Sequence, residues 1–163
     1  MNEAPAGALQ PVFSIEKIYV KDLSVEIPNA PQIFLDREAP QIDVQMHHRA
    51  SVVEEGVYDS ALTITVTAKI GEKTVFLVEV GQAGIFVIRN VPQTDLEPIL
   101  GITCPNILFP YARETVSDAI TRAGFPPVLL NPVNFDALFQ AQKQAALQQA
   151  PAQGSDATVS FTH

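Results

Sequence analysis

The side chains in this sequence best able to do chemistry are one cysteine and three histidines. Cys104 with His47 or His48 would suggest a thiol nucleophile, since an imidazole can take the thiol proton and leave a thiolate to attack a carbonyl. Nothing in the sequence places such a base beside Cys104, which precedes Pro105 at a helix start and packs there. His47 and His48 are neighbours on a strand-like stretch. Alternation turns them to opposite faces, so they cannot hold one metal side by side, and His163 is terminal. There is no GxxxxGK[ST] and no GxGxxG run. Gly81-Gln82-Ala83-Gly84 is too short for a phosphate cradle and follows a strand with no helix opening behind it. No carboxylate pair stands out as a hydrolase site. The expectation is a non-enzyme that uses no cofactor and no metal.

Composition narrows the partners. The 163 residues suffice for one domain with a core, and the net charge is -8, from 18 acidic and 10 basic residues. Neutralising phosphates needs a surplus of Lys and Arg on one face, so nucleic acid is not an expected partner, nor is an anionic membrane surface. No apolar run nears ~20 residues, so no membrane insertion is expected. Met1 to Gln10 lacks the basic and apolar parts of a secretory leader, and the single cysteine suits a reducing compartment, so the expected location is the cytoplasm. Hydrophobic residues make up 47% of the chain and charged ones only 17%. That is more apolar surface than one small domain needs, and subunit contacts or a binding surface would use the excess.

The elements that must present this surface follow from periodicity. Residues 1–10 read as a disordered lead, 11–149 as one domain and 150–163 as a flexible tail. From Pro11 to Ile27, Phe13, Ile15, Tyr19, Leu23, Val25 and Ile27 alternate with polar residues. Ile18 and Val20 break that parity, which predicts a bulge or an apolar contact on the polar face. Gln32 to Pro40 is an irregular connection whose Ile33, Phe34 and Leu35 must be buried or offered to something. Ile42, Val44 and Met46 mark a half-buried second strand. Tyr58 to Ile70 is the clearest strand, and Gly71-Glu72-Lys73 turns it into a fourth. That fourth strand, Val75 to Val80, is apolar on both faces, so cover from a subunit contact is expected there. Gly81 and Gly84 predict a bend before Ile85. Gln93 to Leu100 reads as a short helical stretch. A longer helix then opens at Cys104-Pro105 and ends at Gly124, with a kink possible at Pro110. After an extended apolar connector, Phe125 to Pro132, Asn134 caps a last helix to Gln149. The fold class is α+β: a four-stranded antiparallel sheet, then a long helix and a C-terminal helix.

Three segments, KIYVKDLSVEIPNAP (Lys17 to Pro31), CPNILFPYARE (Cys104 to Glu114) and PVNFDALF (Pro132 to Phe139), resemble the SecB family of export chaperones. The similarity runs from about Phe13 to Gln149. It implies a homotetramer, a dimer of dimers, that binds unfolded secretory precursor proteins without ATP and passes them to the SecA ATPase. In that family SecA recognises an acidic patch on the sheet, which falls here on Asp22, Glu26, Leu77 and Glu79. Ala150 to His163 departs from the basic tail of several members, having no Lys or Arg and one Asp. The resemblance also allows a dedicated adaptor or antitoxin-type chaperone for one specific partner on the same scaffold.

The residues agree with a holding role. An apolar groove of low sequence preference gains ~25 cal/mol per Å2 buried with no directional requirement. Candidates for its lining are Phe34, Ile42, Val44, Met46, Phe135, Leu138 and Phe139, with Met46 adaptable in shape. Subunit contacts are expected at Val78 and Val80 of the two-sided strand, at Tyr111, Ala112 and Ala119 of the long helix, and along the first strand, whose open edge a symmetric partner would pair.

Overall fold

The computed structural model describes Gly7, residues 9–149 and, as backbone, residues 157–162. Most of the lead over residues 1–10, and residues 150–156 and 163 of the tail, lie outside the described residues. The elements are β1 (Val12–Glu26), β2 (Gln41–Glu54), β3 (Val57–Ile70), β4 (Lys73–Arg89), α1 (Gln93–Pro98), α2 (Cys104–Arg122), α3 (Phe135–Gln148) and β5 (Ala157–Thr162). The strands form one sheet in the order β1-β4-β3-β2-β5, with every neighbouring pair antiparallel. The expected four-stranded sheet and two following helices are present. Part of the segment read as a tail adds a fifth strand on the edge of β2.

One face of the sheet carries the core. Leu62, Ile64 and Val66 of β3 and Phe76, Val78, Val80 and Phe86 of β4 are essentially fully buried. They lie beneath α2, whose Leu108, Ala112, Val116 and Ile120 recur at helical spacing and are also closed to solvent. β3 shows the cleanest logic: its even positions from Ser60 to Ala68 are buried and the intervening threonines sit on the other face.

β1 departs from strict alternation twice. Ile15 pairs with Phe86 and Lys17 with Ile85; Val20 pairs with Gln82 and Asp22 with Gly81. Glu16 and Lys21 are therefore extra residues, one at each bulge. The bulges bring Ile18 and Val20 onto the same face as Phe13, Ile15, Leu23 and Val25, and put Tyr19 on the other. β4 runs unbroken from Lys73 to Arg89 through Gly81 and Gly84. The two glycines lie opposite the bulged stretches of β1. A Cβ on Gly84 would come 2.8 Å from the Phe86 ring and 3.1 Å from the Lys17 carbonyl oxygen, and one on Gly81 would come 3.3 Å from the Asp22 Cβ. Gln82, 3% exposed, donates its amide to the Tyr19 carbonyl at 3.1 Å and lies 3.5 Å from the Thr115 hydroxyl of α2. This buried polar pin joins β1, β4 and α2.

The helical backbone does not restart at Cys104. It continues from α1 through a π-helical turn, Ile99–Thr103, into α2, and Thr103 itself has φ -65° and ψ -48°. Proline removes a donor from a helical ladder, and the wide turn accommodates Pro98 before it and Pro105 after it. The long helix ends where expected, with Gly124 at φ +94°. Asn134 caps α3, its side-chain oxygen accepting from the Ala137 backbone N–H at 2.9 Å.

Candidate functional site

Along β2, Ile42, Val44 and Met46 project to the helix side of the sheet, with Val44 and Met46 buried and Ile42 half-buried. The connector between α2 and α3 passes over this row and leaves an apolar groove in two stretches. One is lined by Val44, Met46, Ile64, Phe109, Leu130 and Val133. The other is lined by Ile33, Ile42, Val75, Phe76, Phe125 and Val128 together with the carboxylates Asp36 and Glu38. The connector keeps its distance from the strands because an aromatic ladder holds it. Phe76 of β4 packs on Phe125 at 5.0 Å, and Phe125 stacks on Phe34 at 5.1 Å. Of the three apolar residues in the β1–β2 connection, Ile33 is buried, Phe34 lies in this ladder and Leu35 is exposed.

The sequence-predicted groove residues divide in two. Ile42, Val44 and Met46 line it, and Phe34 borders it through Phe125. The stripe on α3 is placed elsewhere. Phe135 packs edge-on against Phe109 at 5.9 Å, Leu138 lies against the core, and Phe139 sits over Gly101 of the π turn, where a Cβ would come 2.5 Å from its ring. These contacts anchor α3. Sequence reasoning missed Leu130, Val133 and Phe125, whose signal was the apolar run between Gly124 and Asn134.

The opposite face carries the predicted acidic positions together. Glu26 lies directly across from Leu77, Ser24 from Glu79 and Asp22 from Gly81. Asp22 and Glu26 are exposed, and Glu79 accepts from the Thr65 hydroxyl at 3.2 Å. The Lys21 ammonium is drawn to Asp59 at 3.1 Å, and Tyr19 donates to the same carboxylate at 2.8 Å. Burial first, then the bond to Asp59, raises the Tyr19 phenol above its usual range.

The expected subunit contacts are corrected in part. Val78 and Val80 have no exposed surface, because they face α2 inside the protomer's own core, and Ala112 and Ala119 are enclosed with them. Tyr111 alone of the five is open, at 51%. β1, the other strand expected at a subunit contact, carries open apolar surface: Phe13, Ile15, Val20, Leu23 and Val25 form one row on the helix side, each 42–50% exposed.

Cys104 is fully buried, and burial pushes its thiol up to about 12. Native protein at pH 8 is expected to resist a disulfide thiol reagent, with one thiol per chain reacting once denaturant is added. Fast native labelling would contradict the burial. His48 lies 2.7 Å from the buried Ser60 hydroxyl; burial and the neighbouring His47 push it down to about 4. The unfolded chain binds this proton near pH 6.5 and the folded chain only near 4. Stability linked to His48 is thus complete above about pH 6.5 and is lost as pH falls toward 4, by roughly 2–3 kcal/mol. His48→Gln should flatten this part of the pH dependence of urea midpoints; an unchanged slope between pH 6.5 and 4.5 would refute the assignment.

Among the described residues no helix is long and apolar enough to cross a membrane. An antiparallel sheet roofed by one long helix, with an apolar groove along one side and acids on the outer face, defines an α+β class of protein built around a groove. The family model described as preprotein translocase subunit SecB matches residues 6–146, and the chain belongs to the SecB family. It is 63% identical over 154 residues to the protein-export protein SecB of Methylobacillus flagellatus, covering 94% of this chain and 96% of the relative. It is 69% identical over 139 residues to that of Aromatoleum aromaticum, covering 85% and 87%. A SecB-like chaperone of Mycobacterium tuberculosis, solved with a ChAD peptide from an antitoxin, shares the fold with a TM-score of 0.61 at 16% identity, covering 74% of this chain and 90% of that one. The SecB family is non-enzymatic.

Proposed function

We propose that this protein is an ATP-independent chaperone that holds unfolded secretory precursors in the cytoplasm and delivers them to SecA. The observation that carries the reading is the apolar row Ile42, Val44 and Met46 under a connector held off by Phe76, Phe125 and Phe34. Such a groove takes extended apolar chain with little sequence preference. Phe135, Leu138 and Phe139 serve it at one remove, by fixing where the connector ends. The acidic positions Asp22, Glu26 and Glu79, with Leu77 among them, face away from the groove and suit a basic partner surface, so SecA can dock while client is held.

The assembly is a homotetramer, a dimer of dimers. The exposed β1 row supplies apolar surface for a subunit contact, and pairing across an open edge strand removes its liability. Tyr111 on α2 joins that surface. Four grooves per particle then give avidity through effective concentration.

The test is dilution of a chemically unfolded precursor with and without the protein, no ATP being added, alongside a light-scattering mass. Suppressed aggregation at about one tetramer per client, with a mass four times 17.7 kDa, supports the proposal. An intact tetramer that leaves aggregation unchanged overturns the general holding role and leaves a dedicated adaptor for one partner.

A further inference from the structure

The edge of β2 away from β3 is occupied by a strand of the same chain. β5 lies antiparallel along it, with Thr162 opposite Asp43, Phe161 opposite Val44, Val159 opposite Met46 and Ala157 opposite His48. The covered stretch, Asp43 to His48, includes the two buried groove residues of β2. The sequence of β5, ATVSFT, alternates Ala157, Val159 and Phe161 with Thr158, Ser160 and Thr162. The apolar set takes the positions opposite Val44, Met46 and His48, and the hydroxyl set takes those opposite Asp43, Gln45 and His47. A period of two in register with the period of β2 is the pattern of a strand-addition ligand: backbone pairing gives hold, and alternate side chains give fit.

The occupant is tethered and weakly held. α3 ends at Gln148, so eight residues, 149–156, connect it to β5. Fully extended, they span no more than ~30 Å, and a tether of that reach gives an effective concentration on the millimolar scale. β5 pairs with β2 alone over six residues, and an edge strand of that kind opens locally before the interior of the sheet. A ligand that is always near and held along one edge is displaceable.

We infer that β5 is an internal stand-in for client: it fills the strand-accepting edge of β2 when the groove is empty, and an extended client segment of alternating apolar and hydroxyl residues displaces it. The inference rests on the holding role proposed above. It also explains how the β2 edge avoids pairing with other molecules while unloaded. Client binds only to the fraction of protein with β5 released, so apparent affinity is reduced by that fraction.

The experiment uses the full chain with Ser160→Pro and Phe161→Pro together, which removes backbone donors of both parities from β5. Affinity for a fluorescent unfolded precursor is measured for this variant and the parent, each with and without a synthetic peptide of sequence ATVSFT. The variant is expected to bind client about 5–10-fold more tightly, and added peptide to weaken client binding to either form. Hydrogen exchange should show faster exchange in Asp43 to His48 of the variant, with the amides of β3 and β4 unchanged. Equal affinities for variant and parent, or weaker binding by the variant, overturn the stand-in role and leave the holding role intact. Absence of client binding by both overturns the two together.

Discussion

Phe76→Ala is expected to lower unfolding stability by about 3–5 kcal/mol, the largest effect of any single side chain in the groove, as for a large aromatic removed from a core that cannot close up. Phe76 is 2% exposed and lies in the same buried cluster as Val78 and Ile120. It is also the inner rung of the ladder through Phe125 to Phe34. The loss should therefore have two parts, a core part and a groove part, and a double-mutant cycle with Phe125→Ala separates them. A coupling of about 0.5–1.5 kcal/mol between the two rings is expected, beyond the area each buries. Because Phe125 is only half-buried, Phe125→Ala alone should leave the fold intact and let the connector approach β2, weakening client binding more than stability. Additive effects with no coupling would mean that the connector is held by other contacts.

Reversing the charge of the outer face should separate holding from delivery. Asp22→Lys, Glu26→Lys and Glu79→Lys together are expected to weaken binding to SecA by 100-fold or more at low salt, leaving suppression of precursor aggregation and tetramer mass unchanged. The expectation follows from geometry: the three carboxylates lie on adjacent strands at matched register on the face away from the groove, so none touches its lining. Much of the loss should appear in the association rate and shrink with added salt, the signature of steering rather than of buried pairing. Leu77→Ala, directly across from Glu26, should act differently, raising dissociation with little salt dependence. If SecA binding survives all three reversals, the delivery surface lies elsewhere.

How far the sequence foretold this differs by element, for physical reasons. β3 was legible because one of its faces is core and the other is not, so its alternation is written in composition. Asn134 was legible because a cap is a local event. That Asp22 and Glu26 share a face, and Leu77 and Glu79 another, was legible from alternation along each strand; the register of β1 on β4 is what sets the two pairs side by side. Val78 and Val80 misled because a strand apolar on both sides does not say which side its own protomer covers. The first strand was legible as a candidate contact from its open edge, but the membership of its row was not, because two bulges carry Ile18 and Val20 onto the side of Phe13 and Leu23. The place of Phe139 depends on a π turn that brings Gly101 beneath it, a backbone irregularity with no composition of its own. β5 was missed because half of its residues are hydroxyls, and its strand character emerges only against the register of β2.

The bulges of β1 make this strand's length adjustable. In β3, removing one residue would send every later side chain through to the wrong side of the sheet. In β1, Glu16 and Lys21 are surplus letters: omit either and the series Phe13, Ile15, Ile18, Val20, Leu23 and Val25 still falls on one side, with Asp22, Ser24 and Glu26 on the other. A gap at either point would change local twist and relieve the crowding at Gly84 or Gly81 without exchanging the two surfaces. The strand that fronts both the acidic patch and the open apolar row can therefore vary in length between related chains while its two faces keep their identities.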